Sequence, residues 1–196
     1  MVGEENFYAG YSDVEHESMI VILDLASDTA FHSPSVREIE RADAVLILGE
    51  DVTNVAPRIA LALRQSVRNQ AKDLADQSRI PQWQDAAVRE LAQHERSPLS
   101  IISPAVSRLD DVACDRVIEA LPVVVAMGHQ IANKISTSAP NASSSTEHDE
   151  VIEKIAEQLK AAKRPLIIAG NSNGSEVIKA AANIARALHD GSDKSV

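Results

Sequence analysis

The 196-residue chain has a single cysteine, Cys114. One thiol excludes an internal disulfide, and it excludes a self-contained iron–sulfur cluster or thiolate zinc site, which need several sulfur ligands. Aromatic residues make up only 3% of the chain, so Ala, Ile, Leu and Val must fill the core. That mix suits helices layered on a sheet better than a sandwich or barrel. No apolar run reaches about 18 residues, so no membrane insertion is expected, and no charged-then-apolar leader opens the chain. Basic residues are outnumbered by acidic ones, 19 to 29, for a net charge of −10. Such a surface repels nucleic acid and the anionic inner leaflet, so neither is an expected partner, and a cytoplasmic location fits. No G-x-S-x-G elbow is present. The histidines at 16, 32, 94, 129, 148 and 189 include no close pair at metal-ligand spacing. Nothing assembles an acid, a base and an oxyanion site, so no catalytic or metal residue is assigned and the isolated chain does not read as an enzyme.

What the chain does have is apolar strands that end in glycine. Ala44-Val45-Leu46-Ile47-Leu48 is an uncharged run closed by Gly49, and a helical pattern begins at Pro57. This is the strand–turn–helix half-unit of nucleotide-binding sheets. Arg164-Pro165-Leu166-Ile167-Ile168-Ala169-Gly170 repeats the device before an alanine-rich helix from Gly174 to His189. A third strand is expected at Leu99–Ile102. Ser12 and Glu15 form a capping-box signature for a helix reaching about Ala26, with its apolar positions from Met19 to Leu25 expected to face inward. Ser33-Pro34 opens a short helix through Arg41, with proline at its first position. The helix from Pro57 is expected to continue to Gln77, Pro81 to open another that includes Trp83 and Leu91, and a further helix to cover 118–135. Residues 136–147, rich in Ser, Thr and Asn, read as a flexible linker. It divides a first α/β unit, 1–135, from the start of a second, 148–196. The expected fold class is α/β: a helix-rich, layered parallel sheet (Rossmann-like) with few strands. Three strands are too few for a complete doubly wound sheet, which suggests a piece of a larger protein or strands borrowed from a partner.

Gly49 and Gly170 stand where α/β folds bind ligands, at the carboxyl ends of strands. The loop after Gly49 carries Glu50 and Asp51, which would repel a phosphate ester; it is expected to be exposed. The loop Gly170-Asn171-Ser172-Asn173-Gly174 has softer chemistry, with amides, a hydroxyl and a following helix N-terminus that favours anions. Gly170, Asn171, Ser172 and Gly174 are therefore candidate ligand residues, although such glycines and caps serve turns and packing in most α/β proteins. Asp111, Asp115 and Glu119 recur every four residues. On a continuous helix they would share a face able to hold a divalent ion, though such carboxylates more often form a solvated face. His129 reads as a partly buried, hydrogen-bonded core histidine and Cys114 as a structural or incidental thiol.

Several segments, in order along nearly the whole chain, resemble the G subunit of bacterial NADH-quinone oxidoreductase, respiratory complex I. They are Val2-Gly3-Glu4-Glu5-Asn6-Phe7-Tyr8, Arg37-Glu38-Ile39-Glu40, Ala42 through Thr53, and Arg58-Ile59-Ala60-Leu61-Ala62-Leu63-Arg64-Gln65. Ser107-Arg108-Leu109-Asp110-Asp111, Pro165-Leu166-Ile167-Ile168 and Ala180-Ala181-Ala182-Asn183-Ile184-Ala185 complete the set. The resemblance implies a segment of that protein's C-terminal region, which is similar to molybdopterin oxidoreductases. In those enzymes the matching strand leads into a pterin-contacting loop, Gly-Ser-Asn-Pro-x-Glu-x-His-Pro. Here Gly49 and Pro57 hold the first and last places, Asp51 replaces Asn, Val52 replaces Pro and Ala56 replaces His, so Gly49, Glu50, Asp51 and Pro57 would form a vestigial loop without cofactor. The family's iron–sulfur clusters lie in an N-terminal, cysteine-rich part that is absent here. The implied role is structural, with other complex I subunits of the peripheral arm as partners, at the cytoplasmic face of the inner membrane. The stretch Lys163 to Gly170 also resembles the central domain of thiamine-diphosphate enzymes, which sometimes holds FAD or ADP; it implies a nucleotide-binding alternative.

Overall fold

The computed structural model describes residues 3, 6–8, 10–93, 95–139 and 148–191. Most of the expected linker, 140–147, lies outside the described residues. In chain order the elements are α1 (Asp13–Ser27), α2 (Val36–Ile39), β1 (Ala44–Leu48), α3 (Val52–Val55), α4 (Pro57–Ser66), α5 (Asn69–Gln77), α6 (Asp85–Ala92), β2 (Leu99–Ser103), β3 (Asp115–Ile118), α7 (Leu121–Ile135), α8 (Asp149–Ala161), β4 (Pro165–Ile168), a 3₁₀ turn (Asn171–Asn173) and α9 (Ser175–Gly191).

The four strands are all parallel, in the order β3-β2-β1-β4. β1 is central and buried at all five positions. Successive side chains of a strand point to opposite faces. Leu46 and Leu48 pack with Val124, Met127 and Ile131 of α7, Ile152 and Ile155 of α8, and Val177 and Ile184 of α9. Val45 and Ile47 pack on the other side with Ile39, Ala60, Leu63 and Leu99. Covering both faces is what makes a run such as AVLIL continuous rather than alternating. Each of these fully buried Leu or Ile side chains contributes about 1.5–3 kcal/mol of transfer free energy.

Several elements differ from expectation. A fourth strand, β3, occupies Asp115–Ile118, so the next helix begins at Leu121 rather than 118. β3 is an edge strand in which only Val117 is buried, and a strand with one buried residue has no apolar run to announce it. Ser35, not Ser33, caps the short helix, with Glu38 closing the box, so Pro34 precedes the helix. The helix from Pro57 breaks at Val67–Arg68; α5 restarts where the Asn69 amide donates to the carbonyls of Glu40 and Ala42 at 2.8 and 2.9 Å. Pro81 lies in a turn, the helix begins at Asp85, and Trp83 is exposed. The Ser12–Glu15 capping box is present, but Met19, Ile20, Ile22 and Leu23 of α1 face solvent; Ser18 is that helix's buried residue.

Candidate functional site

From β1 the sheet extends to β2 on one side and to β4 on the other. The strand order therefore reverses between β1 and β4, and parallel register (Ile47 beside Ile168) brings their carboxyl ends together. That reversal is where open α/β sheets form a ligand crevice. Both glycine loops meet there.

Gly49 adopts φ +69°, a left-handed conformation that favours glycine, and a Cβ there would press on the methyl groups of Val177. This turn sends Glu50 into the crevice. Glu50 is 5% exposed, which overturns the expectation of an open, charged loop. Its Oε1 accepts from the Ser172 hydroxyl at 2.8 Å and from the Asp51 N–H at 3.0 Å, and its Oε2 from the Ser172 N–H at 3.4 Å. The carboxylate lies against Gly170, where a Cβ would overlap it. The Asn173 side-chain amide donates to the Gly49 carbonyl, closing the two loops on each other. Burying a carboxylate is costly without partners, and these donors offset that cost.

The remaining candidates have other tasks. Asp51 caps α3: its Oδ1 accepts from the Thr53 N–H at 3.1 Å and its Oδ2 from the Asn54 amide at 2.6 Å. Pro57 is exposed at the first position of α4. Asn171 is exposed, and Gly174 takes φ +82° just before α9. Sequence reasoning passed over Ser175, and it counted Asn173 in the loop but not among the candidate residues. Ser175 donates to Glu17 of α1 at 2.7 Å, and this hydroxyl, with Lys179, holds the Glu17 carboxyl below its usual range. An Asn followed by Gly and then Ser at a helix start was the available signal for both.

The proposed carboxylate face does not form. Asp115 lies on β3, Asp111 pairs with Arg64 at 2.8 Å, and Glu119 meets His148 at 2.9 Å. His129 is partly buried against Asn183, at 3.3 Å. An open depression of about 840 Å³, lined by Leu91, Ala92, Val112, Ala113 and Cys114 among others, lies at the amino ends of β2 and β3, away from the crevice. Burial pushes the Cys114 thiol up, and its single S–H can donate either to the Leu99 carbonyl, 3.3 Å away, or to Asp115, 3.1 Å away. A thiol raised in this way forms little thiolate, although the residue is exposed.

Chemically, the crevice has the donors that an anionic ligand would use: two backbone N–H groups and a hydroxyl. All three are engaged by a carboxylate of the same charge as the ligand. At 4 Å that charge would repel a phosphate by about 4 kcal/mol at an effective dielectric near 20, against the roughly 0.3–1 kcal/mol that a helix N-terminus contributes.

No family model matches the chain. The chain is 46% identical over 190 residues to the NADH-quinone oxidoreductase G subunit of Pseudomonas fluorescens. It is 43% identical to that of Shewanella oneidensis and 40% identical to that of Escherichia coli (strain K12), again over 190 residues. Each match covers 96% of the chain and 21% of the relative. The chain thus spans about a fifth of the length of these relatives, and the resemblance read from its sequence is to a segment of the G subunit.

Proposed function

We propose that this chain, matched along almost its whole length to a segment of the G subunit, is a structural, non-catalytic part of the NADH-quinone oxidoreductase assembly. Its sheet keeps the frame of a cofactor-binding fold, and Glu50 fills the crevice from within. The observation that carries the reading is the Glu50 carboxylate, buried at the switch point and bonded to the opposite loop. The residues present do not fit a pterin phosphate, because the loop donors are already engaged and the filling group is anionic. The same geometry weighs against a nucleotide at the Gly170 loop. On this reading, electron transfer from NADH to quinone belongs to the assembly. Any iron–sulfur clusters are held by cysteines elsewhere in it, since one thiol supports none. The partners are other complex I subunits of the peripheral arm, at the cytoplasmic face of the membrane.

The test separates assembly from turnover. Glu50→Ala and Asp51→Ala, placed in the G subunit of an intact oxidoreductase, should lower the amount of assembled enzyme while leaving quinone reduction per assembled complex unchanged. A tenfold loss of turnover per complex, with assembly intact, would give the crevice a part in catalysis and end the structural reading.

A further inference from the structure

Helix α1 turns an apolar side to solvent. It is fastened to α9 through Glu17, which accepts from Ser175 and Lys179. On its outer side Met19, Ile22 and Leu23 are 40%, 40% and 64% exposed. Their i, i+3, i+4 spacing makes them one stripe, and Ile20 lies on its flank, also exposed. Aromatic residues are rare in this chain, yet Phe7, Tyr8 and Tyr11, which lead into α1, are all exposed. Single exposed apolar residues are ordinary. A contiguous stripe, preceded in sequence by exposed aromatics of which Tyr11 stacks on His16 of the same helix, marks an interface.

Charge narrows the occupant. Apart from His16, every charged residue of α1 is acidic: Asp13, Glu15, Glu17 and Asp24. A helix that lies on anionic lipid needs Lys and Arg on its polar side, and α1 has none. Glu15 is engaged by Ser12 and Glu17 by Ser175 and Lys179, so it is Asp13 and Asp24 that two copies packed through this face would set against their like. A polypeptide element with an apolar face rimmed by Lys and Arg is complementary in both shape class and charge. We infer that the Met19–Ile22–Leu23 side of α1, together with Phe7, Tyr8 and Tyr11, is a docking surface for such a basic-rimmed apolar helix. The inference rests on the reading of the chain as part of the oxidoreductase assembly, whose G subunits are far longer than the 21% matched here.

The experiment uses a Cys114→Ser background with one new cysteine, Leu23→Cys, in the free chain and in the G subunit of the assembled oxidoreductase. Maleimide labelling at position 23 should be at least tenfold slower in the assembly than in the free chain. A short cysteine-to-lysine cross-linker at that position should join it to a Lys-bearing apolar segment. The free chain should sediment as a monomer and ignore phosphatidylglycerol vesicles. Equal labelling rates in a complex that contains the protein would overturn the docking surface and leave the assembly reading standing. Failure of the protein to enter the complex would remove the assembly reading, and the docking surface with it. A dimer that Leu23→Glu dissolves would reassign the face to a second copy, and vesicle binding abolished by Leu23→Glu would reassign it to lipid; either result overturns the inference.

Discussion

Gly170 has no side chain because Glu50 occupies the space, and this can be tested by a double-mutant cycle. Gly170 sits at φ −135°, ψ −179°, extended backbone that alanine adopts without strain. Gly170→Ala therefore acts only by evicting the Glu50 carboxylate, which its Cβ would overlap. Eviction breaks the same bonds as Glu50→Ala: to the Ser172 hydroxyl, the Ser172 N–H and the Asp51 N–H. Hydrogen bonds to a charged group are worth about 1.5–3 kcal/mol each. Ser172 is exposed, so water replaces part of the loss. Either single substitution should then cost about 1–3 kcal/mol, or roughly 3–9 °C in Tm for a domain of this size. In the Glu50→Ala background the obstacle is gone, and Gly170→Ala should be neutral or stabilising by about 0.5 kcal/mol through the unfolded state. Urea unfolding followed by circular dichroism gives all four corners of the cycle, with an expected coupling of about 1–3.5 kcal/mol, the single cost of Gly170→Ala plus any stabilisation it brings in the Glu50→Ala background. Single effects that add to within about 0.5 kcal/mol would refute the reasoning, since residues acting through one space cannot be independent.

Other outcomes follow from the same structure. Asp51→Ala should cost about 1 kcal/mol as a lost N-cap, and Asp51→Asn much less; equal losses in chemical denaturation would show that charge, not capping, is what matters at this loop. The Ser35 hydroxyl and backbone N–H, with His32, lower the Glu38 carboxyl from 4.5 to about 2. A folded pKa below the unfolded one gives stability that is complete above about 4.5 and disappears as pH falls towards 2. The Tm difference between the natural protein and Glu38→Gln should therefore shrink across that interval, and a difference that stays constant from pH 5 to 2 would contradict the assignment. Anaerobically purified chain should be colourless, and stoichiometric iron or molybdenum by metal analysis would count against the cofactor-free reading.

The sequence made legible whatever depends on local chemistry. Uncharged runs of four or five residues ending in glycine marked β1 and β4, and Ser12 with Glu15 marked the start of α1, because strands buried on both faces and capped helices carry their signals in adjacent residues. β3 was hidden because an edge strand needs only one buried side chain, here Val117. The loops at Gly49 and Gly170 could be picked out separately as strand ends. Their meeting depends on β4 inserting beside β1, a contact across more than 120 residues. For the same reason Glu50 reads as exposed in sequence and is buried in the fold: its partner, Ser172, is 122 positions away. The apolar residues of α1 promised an inward face, and burial pattern alone did not reveal that α9 covers only the Ser18 side.

The most direct test of the central claim, that the switch-point crevice is closed by the chain's own carboxylate, is calorimetric titration of the natural protein with ADP and with a pterin phosphate. No binding heat is expected up to millimolar ligand. A micromolar Kd for either ligand, abolished by substitution in the Gly170–Gly174 loop, would show an open anion site and contradict the claim.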